Sequence, residues 1–207
     1  MVVHRLTLGI FGVNNYIVHS PDSDRAILID ACEDYPAILR KLSELKLQLV
    51  YLVNTHGHGD HMAGNAAILS ETGAQLLAHP LEVPYLRDPK LNLSLIIGGG
   101  TRSPEPHRLL AEEDILELED LRLKALHTPG HTPGHISLVG EGIAFVGDVI
   151  FRESIGRTDF PGGSYEQLLE TIQTKIYSLP DDTVLYNGHG PETTVAHEKR
   201  FNPFVRV

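Results

Sequence analysis

Residues 54–65 read N-T-H-G-H-G-D-H-M-A-G-N, which places His56, His58, Asp60 and His61 within six positions directly after the apolar run L-V-Y-L-V, residues 49–53. In extended backbone, residues two apart project to the same side, so the His56 and His58 imidazoles can reach one ion. Asp60 and His61 fall where the chain turns into a helix-like run and can face a neighbouring ion. Taken singly, each is an ordinary solvated loop residue or, for Asp60, a helix N-cap. Together, at the end of a buried strand, they form the pattern of a catalytic metal site. Imidazoles and carboxylates without thiolates suit zinc, with iron(II) or manganese(II) as alternatives.

Four ligands do not complete two sites, so other segments must contribute. Three Gly-rich turns after strand-like runs carry suitable side chains: H-T-P-G-H-T-P-G-H with His127, His131 and His135, F-V-G-D with Asp148, and N-G-H-G with His189. Glycine lets the backbone bend tightly enough to present a side chain at a strand end. The remaining histidines, His4, His19, His79, His107 and His197, are read as surface or internally satisfied residues.

The chain has 207 residues, enough for one domain that buries a core without disulfides or a structural metal. With 17 Lys+Arg against 27 Asp+Glu it carries a formal charge of −10, which offers no footprint for gripping a phosphate backbone, so nucleic acid is not an expected partner. Cys32 is the single cysteine, which excludes an intrachain disulfide and a C-x-x-C redox pair. No apolar run approaches the roughly 18 residues of a membrane span, and the first residues lack a signal-peptide pattern. The expectation is a soluble cytoplasmic protein without a membrane partner.

Short β-branched runs, V-V-H-R-L-T-L, N-Y-I-V-H-S, R-A-I-L-I-D and L-Q-L-V-Y-L-V-N-T, read as strands bounded by turn residues. Helical spacing of Ile38, Leu42 and Leu45 marks a helix over 35–47, and 61–73 reads as another ending at Gly73. Further strands are read in 114–128, and 135–140 with 143–148 reads as a hairpin across Glu141 and Gly142. Ser164 is placed as N-cap of a helix with an apolar stripe of Leu168, Leu169, Ile172 and Ile176, ended by Pro180. Residues 182–190 supply a last strand. Strand clusters in each half with helices beside them predict two β-rich halves face to face with helices outside. Residues 79–113 are irregular, a length typical of binding loops, so a substrate-facing role is a reasonable expectation.

The ordered set T-H-G-H-G-D-H (55–61), T-P-G-H-T-P-G-H (128–135), G-D (147–148) and G-H-G-P (188–191) resembles the metallo-β-lactamase-fold hydrolases of the glyoxalase II-like group. The resemblance implies an α/β, αββα four-layer sandwich with a pair of divalent metal ions at one sheet edge. By motif position it assigns His56, His58 and His131 to one ion, Asp60, His61 and His189 to the other, and Asp148 as the bridging carboxylate. It places Asp30 behind a ligand histidine, with a turn cap as the alternative, and His127 and His135 as flanking residues. It implies hydrolysis by hydroxide generated at the metal pair, Asp60 and Asp148 being the catalytic carboxylates. The implied substrate is a small thioester such as S-lactoylglutathione.

Two departures bear on the substrate. Only P-E-T-T-V-A-H-E-K-R-F-N-P-F-V-R-V follows Gly190, where glyoxalase II has a helical extension that helps bind glutathione. Arg157 stands where that family has a glutathione-contacting Lys, which suggests carboxylate binding, while Asp159 replaces its Tyr. G-R-T-D-F-P and the terminal N-P-F are closer to short stand-alone glyoxalase II-like proteins. The principal alternative is a persulfide dioxygenase, which the same resemblance would give one iron(II) on His56, His131 and Asp148; G-H-G-P departs from its pattern. A lactonase, a β-lactamase and a non-catalytic metal-binding module are weaker alternatives.

Overall fold

The computed structural model describes residues 1–97 and 99–206. Strands β1 (Val2–Leu8), β2 (Val13–His19), β3 (Arg25–Ile29), β4 (Gln48–Val53), β5 (Gln75–Ala78) and β6 (Arg108–Leu109) join in chain order into one six-stranded sheet. The second sheet uses β7 (Ile115–Leu118), β8 (Leu121–His127), β9 (Ile136–Gly140) and β10 (Ile143–Gly147). After a small hairpin of β11 (Ile150–Phe151) and β12 (Ser154–Ile155) come β13 (Val184–Asn187) and β14 (Thr193–Thr194), and the second sheet runs β14-β13-β10-β9-β8-β7.

Period-two alternation decides which side chains go where. In β3, Ile27 and Ile29 enter the layer between the sheets, where they meet Leu116, Leu123, Leu138 and Phe145 of the second sheet. Ala26 and Leu28 face the other way, onto Ile38 and Leu42 of helix α1 (Tyr35–Leu45) and onto Ile68. In β10, Phe145 joins the inner layer while Ala144 and Val146 pack outward with Leu168 and Ile172. The result is the expected helix, sheet, sheet, helix order.

The helical run predicted over 61–73 is two pieces, α2 (Gly59–Met62) and α3 (Asn65–Thr72), because the backbone between them turns aside to bond the end of the first sheet: Ala31 N–H donates to His61 O (2.8 Å) and Gly64 N–H to Ala31 O (2.9 Å). Gly73 caps α3 with φ at +70°. The irregular stretch holds α4 (Val83–Arg87) and α5 (Ser94–Ile97) as well as β6. Helix α6 (Tyr165–Thr171), capped as predicted by Ser164, continues through a π turn over Ile172–Ile176. Helix α7 (Val195–Phe201) has no counterpart in the sequence reading; Thr194 caps it, and its buried Glu198 accepts hydrogen bonds from Thr193, Asn202 and the Glu153 N–H. Among the described residues no helix is long and apolar enough to cross a membrane.

Strand direction gathers the motif turns. β3 runs parallel to β4, and β10 to β13, so the segments after these four strands emerge at the carboxyl ends of their sheets. Because β9 is antiparallel to both β8 and β10, the β8–β9 turn lies at that end as well. An isolated bridge from Val13 to His189 and a bond from Asn14 N–H to Gly188 O (2.8 Å) tie the two sheets together there.

Candidate metal centre

Each motif residue arrives at this edge on a different turn. His56, His58, Asp60 and His61 follow β4, His131 lies between β8 and β9, Asp148 follows β10 and His189 follows β13. Three overlapping donor groups result, His56–His58–His131, His56–His61–Asp148 and Asp60–His61–His189, each with ligand atoms within 4.8 Å of one another. Asp148 lies between the outer two: Oδ1 is 3.5 Å from His61 Nε2, and Oδ2 is 3.7 Å from His131 Nε2 and 3.6 Å from His189 Nε2. The Asp60 carboxylate reaches His189 Nε2 at 3.5 Å and His61 Nε2 at 3.8 Å.

The hydrogen bonds behind these residues fix most of the imidazole tautomers. His61 Nδ1 donates to Asp30 Oδ2 (2.9 Å), His131 Nδ1 to the Arg157 carbonyl (2.7 Å) and His189 Nδ1 to the Phe11 carbonyl (3.1 Å). His56 Nδ1 donates to Thr55 Oγ1 (3.0 Å), whose own proton goes to Asp30 Oδ2 (2.8 Å). In four of the five histidines Nδ1–H is thus spent on the protein, and Nε2 is the nitrogen turned into the cluster, the arrangement that orients metal-binding histidines. Asp30, which also accepts Thr55 N–H (2.8 Å), serves His56 and His61 together. It does so at φ +59°, a conformation that disfavours side chains other than glycine.

The donor set passes a direct test of fit for divalent ions. Among the described residues, the buried side-chain nitrogens and oxygens without a hydrogen-bond partner are His56 Nε2, His58 Nε2 and Asp148 Oδ1, and all three belong to this cluster. Imidazole nitrogens also face each other, His58 Nδ1 with His131 Nε2 at 2.9 Å and His61 Nε2 with His189 Nε2 at 3.2 Å. Lone pairs converging at such distances suit cations held between them. The backbone allows the approach because residue 188 is glycine: a Cβ there would come within 2.0 Å of Asp148 Oδ1.

Electrostatics divides the cluster. Burial, followed by the charges of neighbouring histidines, holds His56 well below its ordinary pKa of 6.5; burial and His131 do the same for His58. His61 is pushed up to about 10: burial opposes the shift, but Asp148, Asp60 and Asp30 outweigh it. Burial would raise Asp60, yet His61 and His189 hold its carboxyl well below the usual range. These carboxylates favour the doubly protonated form of His61 when no cation is bound, and coordination needs a bare nitrogen. Metal loading at pH 8 is expected to release at least one proton per chain, from this residue and from water that ionises at the metal, read by titration calorimetry in buffers of differing ionisation enthalpy. Loading without proton release would show that His61 is not displaced onto a metal.

His135 lies outside the donor set. Its Nε2 accepts the Asp148 N–H (3.1 Å) and its Nδ1–H goes to Thr128 Oγ1 (2.9 Å), so both nitrogens are used while the ring stacks on His56 at 5.2 Å. His127 bonds the Pro133 carbonyl and stacks on His79 at 4.4 Å. Cys32 is buried, and burial pushes its thiol up to about 11. The Arg157 side chain borders the site but is forked onto Asp159 (2.9 and 2.7 Å) and lies 4.1 Å from the Phe160 ring centre.

Sequence reading missed Glu82. It is fully buried and receives Gly57 N–H (2.6 Å), the Thr132 hydroxyl (2.6 Å) and Gly134 N–H (2.8 Å). Gly57 separates His56 from His58, and Thr132 follows His131, so one carboxylate pins both loops of the first donor group. A Cβ at residue 57 would fall 2.6 Å from the Tyr85 Cβ and 3.0 Å from Glu82 Oε2, which accounts for a glycine between the two histidines. The one sequence signal was an acidic residue inside an otherwise apolar helical stretch, L-E-V-P-Y-L.

The family model described as the metallo-beta-lactamase superfamily matches residues 8–189. A hydroxyacylglutathione hydrolase GloC from Haemophilus influenzae is 36% identical over 188 residues, covering 89% of this chain and 89% of its own. Among solved structures, the BLEG-1 B3 metallo-beta-lactamase superposes with a TM-score of 0.94 at 34% identity, covering 99% of both chains. A structure of TTHA1623 in a di-iron-bound form gives 0.89 at 31% identity, covering 98% of this chain and 100% of that one.

Proposed function

We propose that this chain, which belongs to the metallo-beta-lactamase superfamily of metallo-hydrolases, cleaves acyl thioesters with two divalent ions, zinc first and iron or manganese as alternatives. The observation that carries the reading is the position of Asp148, whose Oδ1 lies 3.5 Å from His61 Nε2 and whose Oδ2 lies 3.7 Å from His131 Nε2 and 3.6 Å from His189 Nε2, so that its carboxylate borders both outer donor groups. A carboxylate so placed suits two ions sharing one ligand, and a second ion gives Asp60, His61 and His189 a donor role where a one-ion site would leave them only supporting its ligands.

Two such ions, when bound, would supply a hydroxide at neutral pH and a charge that stabilises a developing oxyanion. The protein's part is geometric. Asp30, Thr55, Phe11 and the Arg157 carbonyl hold four imidazoles in the tautomer with Nε2 inward. His135 fixes the Asp148 backbone, and in this reading Asp60 would orient the attacking water as well as bind metal. No serine or cysteine nucleophile is required. The hydroxyacylglutathione hydrolase relative supports a thioester, with S-lactoylglutathione as the reference substrate.

Purified protein is expected to contain about two metals per chain and to hydrolyse S-lactoylglutathione, the activity disappearing after chelation and returning with zinc, iron or manganese. Elemental analysis paired with the thioester assay and with oxygen uptake on glutathione persulfide decides the matter. One iron per chain with oxygen consumption and no hydrolysis would replace this reading by a mononuclear dioxygenase.

A further inference from the structure

Beside the donor cluster lies a cleft of about 440 Å³. Apart from the cluster itself and Ser154, its walls are Phe11, Leu93, Phe151, Ile155, Phe160 and Arg157. The apolar side chains stand on both flanks of the metal-binding histidines. Phe160 lies 5.5 Å, ring to ring, from His58, and Phe151 lies 6.1 Å from His189. Arg157 is the single charged lining residue outside the cluster among those described, and its fork is closed on Asp159. A substrate carboxylate would compete with Asp159 for this guanidinium, so apart from the metal site the cleft presents no unpaired cation among its described lining residues.

Leu93 is the most constrained part of this wall. Its φ is +65°, in the left-handed region that an unbranched turn residue or glycine would occupy at less cost. Asn92 holds it there: fully buried, it donates to the Tyr85 and Thr101 carbonyls (2.9 and 3.0 Å), its Oδ1 accepts Ser94 N–H (3.0 Å), and its carbonyl accepts Gly59 N–H (2.8 Å). The last bond straps the loop to the residue before Asp60. Backbone strain maintained beside a reactive centre points to a side chain needed in that place.

We propose that the cleft is a receptor for a linear apolar acyl group, with Leu93 as its specificity-determining wall, and that a charged leaving thiol gains nothing from it. The proposal rests on the thioester reading for the reaction but names a different basis of recognition from the glutathione carboxylates. Thioesters with acyl chains longer than lactoyl are then the preferred substrates, whichever thiol carries them.

Two measurements on zinc-loaded protein separate recognition from reaction. In the first, calorimetry follows binding of straight-chain carboxylates, the acyl products, from propionate to octanoate; burial of each methylene is expected to tighten binding about fourfold. In the second, kcat/KM is compared for lactoyl, butyryl and hexanoyl thioesters of glutathione and of N-acetylcysteamine. The expected result is a rise with acyl length and a change of less than about threefold between the thiols, with the length dependence flattened in Leu93→Ala at unchanged zinc content. A flat carboxylate series, or a glutathione thioester favoured more than about tenfold over its neutral counterpart, would overturn the proposal. Length-dependent binding without hydrolysis of any thioester would support the apolar receptor and remove the thioester reading instead.

Discussion

Asp148→Ala is expected to lower thioester kcat/KM by roughly three orders of magnitude and to reduce bound metal from about two ions per chain to one or fewer, several kcal/mol of charge stabilisation being at stake at about 1.4 kcal/mol per factor of ten. The reason is its position: the side chain stands between both donor groups, with oxygens 3.5 to 3.7 Å from three imidazole nitrogens. Removal also takes away the leading attraction that keeps His61 charged, so its pKa in metal-free protein should fall toward the ordinary value. Metal analysis and steady-state kinetics test the first part, and histidine titration by NMR the second. A variant with full activity and two ions would eliminate the shared-carboxylate arrangement.

The second large effect is expected at Glu82, which touches no donor atom of the cluster. Glu82→Ala would strand two buried backbone N–H groups and the Thr132 hydroxyl. At about 1–3 kcal/mol per unsatisfied group, the loss is about 3 kcal/mol or more, a fall in Tm of roughly 10 °C for a domain of this size. Loosening the His56–His58 and His131 loops together should also weaken metal affinity about 10–100-fold. Glu82→Gln keeps an oxygen for Thr132 and Gly134 but turns an NH₂ toward Gly57, so partial rescue is expected. Unaltered Tm and metal affinity in Glu82→Ala would remove Glu82 from this role.

The pH dependence gives that prediction a sign. Burial pushes Glu82 up from 4.5 to about 7, against the opposing pull of its three hydrogen bonds. Between these values the folded state holds the proton that the unfolded state has lost, so this group's contribution to stability declines as pH rises from 4.5 to about 7. Glutamine lacks the titration. The stability deficit of Glu82→Gln relative to the parent should therefore be largest near pH 4.5 and shrink toward neutrality, which calorimetry across that window would show.

How much of this was legible in the chain depends on the range of each signal. The strands β2, β3, β4, β9 and β10 are readable because alternation and turn residues are local, and Ser164 and Gly73 mark their helix ends by chemistry within a few positions. The short β5 and β6 strands and helix α7 escaped notice: their residues pair with distant strands or bury Glu198 against remote partners, and carry little periodicity of their own. The π turn over Ile172–Ile176, where Ile172 and Ile176 pack into the outer core of the second sheet, likewise has no local signature in the sequence.

The same division runs through the site. The candidate donors were legible in the sequence, the first four from their spacing after a strand and His131, Asp148 and His189 through the motifs that carry the family resemblance, and the fold brings all seven side chains to one edge. Only the tertiary structure decided that Asp148 stands between two groups, that Asp30 orients two histidines, that His135 has no nitrogen to spare and that Arg157 is closed on Asp159. It alone disclosed Glu82 and Leu93. Hydrogen-bond partners dozens of residues away, and a strained φ held by a buried asparagine, are properties of chain packing that no short window of sequence encodes.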